Sequence, residues 1–168
     1  NLSKETGDSL GLSMLAAKAK SKFIIFNGVP FMAETAKVLN PTKRVFVADK
    51  SAGCSLADNF PVEKIRQLKK AYPGVPVMIY VNSYADCKAE ADVVCTSANA
   101  VKIAMAMPGK QIIFVPDIYF ARNLAAEVKG KKEVICPESH GSLCEVHEKF
   151  TLEDLKAVRE SFDIPKGH

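Results

Sequence analysis

Cysteine and histidine are the residues of this 168-residue chain with the most chemistry to offer, and there are five of the first and three of the second. Two cysteines stand where a metal could be held. Cys54 lies in Ala52-Gly53-Cys54-Ser55, and Cys144 in Gly141-Ser142-Leu143-Cys144-Glu145-Val146-His147, each in a small-residue loop past an apolar strand. Glycine beside each lets the backbone approach a bulky group closely. Thiolates on such loops suit zinc or an iron–sulfur cluster. No CxxC pair exists, so spacing alone leaves the metal open. Cys87 and Cys95 fall in a helix and at a strand end, where cysteine serves as a small buried hydrophobe. Cys136 ends a strand and fits either role.

His147 shares its polar loop with Cys144, as an acid/base group, a substrate contact or an ordinary surface histidine. Tyr80-Val81-Asn82 ends a buried strand and Ser97 follows the neighbouring one. A phenol, an amide and a hydroxyl can therefore meet one small polar molecule, and helix N-termini there favour a carboxylate or phosphate. Gly7-Asp8-Ser9-Leu10 reads either as the signature block of GDSL serine esterases or as a helix N-cap. The esterase needs its serine after a buried strand, with a downstream Asp-x-x-His supplying the base. Here polar residues precede Ser9, and Asp163 stands too far from His168, which favours the cap.

The elements that must position these groups alternate. The pattern predicts helices over 10–20, 31–39, 62–72, 85–90, 98–107, 119–128 and 151–162, and strands over 23–26, 45–47, 77–81, 93–95, 112–115 and 133–136. His147 falls in a long loop between the last strand and the last helix. The strands are near-continuous Val/Ile/Phe runs, as in parallel strands buried on both faces, and Phe23 to Phe26 is read in that way. Right-handed crossovers gather Asn27, Asp49, Asn82, Thr96, Ser97 and Asp117 on one sheet edge, the edge where open α/β sheets bind ligands.

Composition sets the class. The chain is 48% hydrophobic and 25% charged, as soluble globular proteins are. No apolar run approaches membrane-spanning length, and no signal-peptide pattern opens the sequence. The net charge of +4 is dispersed, unlike the basic stripe of a nucleic-acid binder. An odd number of cysteines without a disulfide framework points to a reducing, cytoplasmic setting.

The chain also repeats itself. Phe23-Ile-Ile-Phe and Val45-Phe-Val-Ala-Asp49 recur as Asp92-Val-Val-Cys and Ile112-Ile-Phe-Val-Pro-Asp117, and Phe60-Pro-Val-Glu-Lys-Ile-Arg-Gln-Leu recurs as Phe150-Thr-Leu-Glu-Asp-Leu-Lys-Ala-Val. The expected fold class is α/β, with duplicated three-layer, Rossmann-like units on short parallel sheets. Residues 1–60 form a first repeat lacking its first strand, 61–130 a second, and 131–168 the last strand, the cysteine loop and the entry helix of an incomplete third. An uncovered apolar face should then favour self-association.

The blocks Gly7-Asp-Ser-Leu, Phe31-Met-Ala-Glu-Thr-Ala-Lys-Val-Leu-Asn-Pro, Ala52-Gly-Cys-Ser-Leu-Ala-Asp, Tyr80-Val-Asn, Thr96-Ser-Ala-Asn-Ala and Cys144-Glu-Val-His-Glu-Lys-Phe resemble the quinolinate synthase family of NAD biosynthesis, in the family's order and over nearly the whole chain. The resemblance implies three similar α/β domains around a pseudo-threefold axis, two of them present here. It implies condensation of iminoaspartate, from an aspartate-oxidising enzyme, with dihydroxyacetone phosphate, and a [4Fe-4S] cluster on three cysteines with one iron open as Lewis acid. Cys54 and Cys144 match two cluster ligands. Ser9, Tyr80, Val81, Asn82 and Ser97 match substrate contacts, and His147 and Tyr80 line the pocket as catalytic groups. The family's third cysteine has no counterpart, nor do the histidine and tyrosine of its first strand, and His168 stands where a His-Pro-Glu block should begin. Cys136 and His140 are extra. An inactive fragment that binds a cluster poorly is therefore expected. The remaining alternatives are a non-catalytic small-ligand module and the esterase.

Overall fold

In the computed structural model, which describes residues 4–136 and 141–162, two parallel sheets lie among helices. The first sheet pairs β1 (Phe23–Phe26) with β2 (Arg44–Val47). Helices α1 (Ser9–Lys18) and α2 (Pro30–Leu39) cover one of its faces, where Ile24, Phe26, Val45 and Val47 meet Leu12, Met32, Ala33 and Ala36. The other face, bearing Phe23, Ile25 and Phe46, is open, and Ile25 is 76% exposed. β1 is therefore not buried on both faces as its composition suggests. With only one neighbouring strand and helices on one side, its alternate side chains have nothing to pack against.

The second sheet has the order β4-β3-β5-β6, all parallel, from β3 (Val77–Tyr80), β4 (Val93–Cys95), β5 (Gln111–Val115) and β6 (Glu133–Ile135). It is a three-layer arrangement. Val77, Ile79, Ile113, Val115 and Ile135 pack under α4 (Val62–Ala71) and Cys87 of α5 (Ala85–Ala89). Met78, Cys95, Ile112 and Phe114 pack under α6 (Ala100–Ala106) and α7 (Ile118–Glu127). Val77, Met78 and Ile79 of central β3 are fully buried, on both faces, which is why the strand reads as an apolar run up to Tyr80. A short helix α3 (Ser55–Asp58) follows β2, and α8 (Glu145–Lys149) and α9 (Leu152–Ser161) end the described chain. Among the described residues no helix is long and apolar enough to cross a membrane.

His147 lies in α8 rather than in a loop. Cys144 occupies the N-cap position and Glu145 and Glu148 sit in the first turn, where negative charge complements the helix dipole. Polar composition disguised a short helix whose side chains are all exposed or half-buried.

The matched sequences of α4 and α9 make the same helix in opposite surroundings. Phe60 is 2% and Ile65 0% exposed, whereas their counterparts Phe150 and Leu155 are 60% and 58% exposed. A capping box between Thr151 and Asp154 starts α9 without help from packing. Ile65→Ala is accordingly expected to cost about 2–5 kcal/mol, and Leu155→Ala less than about 0.5 kcal/mol. Denaturant titration of the two variants checks this; equal losses would mean that α9 is packed in solution.

Candidate active site

The carboxyl ends of β3 and β5 bring Tyr80, Asp117 and His147 to one side of the sheet. The loop after β3 is fixed by backbone bonds. Val81 N–H donates to Cys95 O at 2.8 Å, Ser83 N–H to Val81 O at 2.9 Å, and the Ser83 hydroxyl to Tyr80 O at 2.7 Å. Tyr80 is half-buried with its ring edge-on to Phe120 at 5.1 Å. Burial first, and then the negative charge of Asp117, hold its phenol above the ordinary 10.0, with smaller contributions from Cys95, Cys144 and Cys54. Tyr80 therefore stays protonated and can donate, and both loop cysteines come within its electrostatic reach.

The two cysteine loops meet beside it. Cys54 and Cys144 are the N-cap residues of α3 and α8, and the residue after each touches the other, Glu145 N–H donating to Ser55 Oγ at 3.4 Å. The Cys144 loop is strapped to the end of β5. Ser142 N–H donates to Pro116 O at 2.7 Å and Ile118 N–H to Ser142 O at 3.2 Å, which makes a parallel bridge of Asp117 with Ser142. Position 141 must be glycine for this, because a Cβ there would lie 2.3 Å from Ile118 Cγ1. A Cβ at Gly53, beside Cys54, would meet the carboxylate tip of Asp58, Oδ2 at 2.3 Å, a less fixed obstacle than the Ile118 stem. Asp58 is held in turn by the Tyr84 hydroxyl, and that bond pushes the Tyr84 phenol up to about 12.

The other cysteines are packing groups. Cys87 and Cys95 are buried, Cys136 packs against the α6–α7 side of the core, and burial pushes all three thiols up to about 12. Among the described residues no three His, Cys, Asp or Glu side chains are arranged to hold a metal. Cys54 and Cys144 are both half-buried free thiols on adjoining loops, and no third such side chain joins them among the described residues.

His147 Nδ1 lies 3.6 Å from Asp117 Oδ2, so the imidazole stands at the same strand end as Tyr80. Ser97 is exposed in the turn after β4, where Thr96 N–H donates to Asn99 Oδ1 at 2.8 Å. Ser9 is the first residue of α1, and Asp8 supplies the cap by accepting from Gly11 N–H at 2.7 Å. Among the described residues no hydrogen bond joins Ser9 to the Tyr80–Asn82 loop or to an imidazole, and Asp163, His168 and His140 lie outside them. A pocket lined by Pro73, Gly109, Lys110 and Glu133 lies away from these groups, at the opposite, amino ends of the strands.

Sequence reading missed a latch between the two sheets. Glu34 of α2 accepts from Ala85 N–H at 2.7 Å, and Lys88 of α5 returns the contact to Thr35 Oγ1 at 3.1 Å and to Ser83 O. The Lys88 ammonium also stands 5.6 Å from the Phe31 ring centroid.

Comparison with known proteins places the chain in a family. The model of the family described as "Quinolinate synthetase A protein" matches residues 1–165. The chain belongs to the quinolinate synthetase A family. It is 48% identical over 155 residues to "Quinolinate synthase 2" of Mesorhizobium japonicum, covering 92% of this chain and 46% of that protein. It is 47% identical to "Quinolinate synthase" of Agrobacterium fabrum over 92% of this chain and 44% of the relative, and 44% identical to that of Caulobacter vibrioides over 93% and 42%. The chain thus spans less than half the length of the curated relatives it matches.

Two tests address how the loops are held. Gly141→Ala is expected to cost about 1–3 kcal/mol through overpacking against Ile118 and to speed alkylation of Cys144; an unchanged alkylation rate refutes the strap. Burial lowers Lys88 to about 8 from its ordinary 10.5, against the opposing pull of Glu34. Between those values the unfolded chain binds the extra proton, so this side chain makes stability rise with pH there, and its full charging cost persists below about pH 8. Lys88→Met should flatten that rise in denaturation midpoints compared across the window.

Proposed function

We propose that this chain is a catalytic portion of a quinolinate synthase, condensing iminoaspartate with dihydroxyacetone phosphate, with loss of phosphate and water, in cytoplasmic NAD biosynthesis. The observation supporting this reading is the meeting of the Cys54 and Cys144 helices at Ser55 and Glu145, beside Tyr80. A [4Fe-4S] cluster bound there with one open iron would supply a Lewis acid for a substrate oxygen. Cys54 and Cys144 would be two of its thiolate anchors. Residues 1–60, 61–130 and 131–168 are read as successive units of a threefold arrangement, the last of them partial.

The chain's own groups have distinct tasks in this reading. Tyr80, kept protonated, donates to a carboxylate or carbonyl oxygen. Asn82 and the Val81 backbone position the same substrate from the fixed loop, and Ser97 and Ser9 supply hydroxyl donors from neighbouring edges. His147 moves a proton during loss of water. The buried face of the sheet excludes solvent from one side of the bound substrate.

Two thiolates leave a cluster short of anchors, so the isolated chain reconstituted with iron and sulfide should lose most of its iron on desalting. Grafted in place of the matching segment of the Agrobacterium fabrum relative, it should support quinolinate formation. Cys54→Ser and Cys144→Ser in that graft are expected to lower the rate at least about 100-fold, and Cys136→Ser to leave it nearly unchanged. Undiminished synthesis without both Cys54 and Cys144 refutes the assignment. Ligand binding that survives the same replacements in a catalytically silent graft points to a non-catalytic module.

A further inference from the structure

Among the described residues, Asp117 Oδ2 and Ser142 Oγ are buried side-chain oxygens without a hydrogen bond. Asp117 is 1% exposed, and its two oxygens do different things. Oδ1 caps α7 by accepting from Phe120 N–H at 3.0 Å. Asparagine, serine or threonine caps a helix about as well, so the cap does not account for a carboxylate. Oδ2 is shielded from water and unbonded, a costly state for a charged acceptor, and it lies 3.6 Å from His147 Nδ1. His147 is 55% exposed and meets only the edge of Tyr119 among the described ring contacts, with centroids 6.4 Å apart. A small turn of that side chain closes the gap to hydrogen-bond length.

We propose that Asp117 is the positioning residue for His147. Oδ2 accepts the Nδ1 proton, which fixes the imidazole in the Nδ1–H tautomer and leaves the lone pair on Nε2, across the ring from the carboxylate. That nitrogen is then the atom offered to substrate. A proton taken there from a substrate N–H or O–H makes an imidazolium whose charge is balanced by the buried carboxylate beside it, and the same proton can return to a departing oxygen. The assignment rests on the proposed function only for what Nε2 receives; the tautomer is a property of this chain. Ser142 Oγ, on the residue bridged to Asp117, is the rival donor to Oδ2. If the hydroxyl fills that place, His147 is left unoriented.

The long-range proton–nitrogen NMR spectrum of the histidine-labelled chain at alkaline pH decides between them, with His147 assigned by its loss in His147→Gln. An unconstrained imidazole in water prefers its proton on Nε2, so Nδ1–H for His147 is the expected and informative result. Asp117→Asn keeps an oxygen for the α7 cap but presents an amide donor to the ring, and should move the proton to Nε2. Asp49→Asn, altered at the matching position of the first repeat, should leave the spectrum unchanged. Nε2–H in the unsubstituted chain overturns the proposal without any variant having to fold, as does an unchanged tautomer in Asp117→Asn. The measurement needs neither cluster nor turnover, so its failure and the failure of quinolinate synthesis are separate results.

Discussion

Two backbone hydrogen bonds, from Ser142 N–H to Pro116 O and from Ile118 N–H to Ser142 O, decide whether this molecule has a site at all. They tie the approach to Cys144 onto the end of β5, a strand whose neighbours β3 and β6 hold it in the core. Without them Cys144 and His147 would hang on a segment with little buried surface of its own. Glycine at 141 is the local condition, since the strap brings that Cα against Ile118. Rigidity is thus borrowed from the sheet and passed to a loop by main-chain contacts, which ask of the loop's side chains chiefly that position 141 have none.

The same edge explains why the polar groups are in such varied states. The site joins a low-dielectric core to open solvent over the length of one side chain. Tyr80 and Lys88 face inward, and both are driven toward their neutral forms by burial. Lys88 keeps three oxygen partners in compensation, Thr35 Oγ1, Ser83 O and the nearby Glu34 carboxylate. A buried lysine so placed adds little net stability, because desolvation offsets the attraction. What it adds is register, since α2 and the loop after β3 can approach in only one way that satisfies it.

Much of the architecture was legible because long-range packing wrote itself into short-range pattern. β3 is buried on both faces and is uniformly apolar; α4 buries Val62, Ile65 and Leu68 and carries them at helical spacing. The misreadings arose where that link fails. β1 has the same apolar run as β3 and only one covered face, because a strand's composition cannot report how many helices flank its sheet. α8 is five residues long and carries one apolar side chain, Val146, so no periodicity betrayed it. The cysteines were separable by setting: Cys54 and Cys144 beside glycine in loops, Cys87 and Cys95 within elements. That Tyr80 would stand at the ligand edge followed from its place at the end of a buried strand; that Glu34 and Lys88 would tie the loop behind it did not, because contacts between distant helices leave no local trace.

The repeat sharpens the point, because it puts one residue in two environments. Asp49 and Asp117 follow equivalent strands. Asp49 is exposed and turns back on its own loop, with Oδ1 accepting from both the backbone and the hydroxyl of Ser51 at 2.8 and 2.7 Å. Those bonds hold its carboxyl below the ordinary range. Asp117 has Tyr119 where Asp49 has Ser51, and the cysteine strap covers it. Deprived of a local hydroxyl and of water, it satisfies one oxygen at the helix cap and leaves the other facing an imidazole from a different part of the chain. A capping residue that any small polar side chain could replace has become, through one neighbour and one strap, a carboxylate with a specific partner. The helix cap fixes where the carboxylate stands, and the loop packed over it decides what its second oxygen faces.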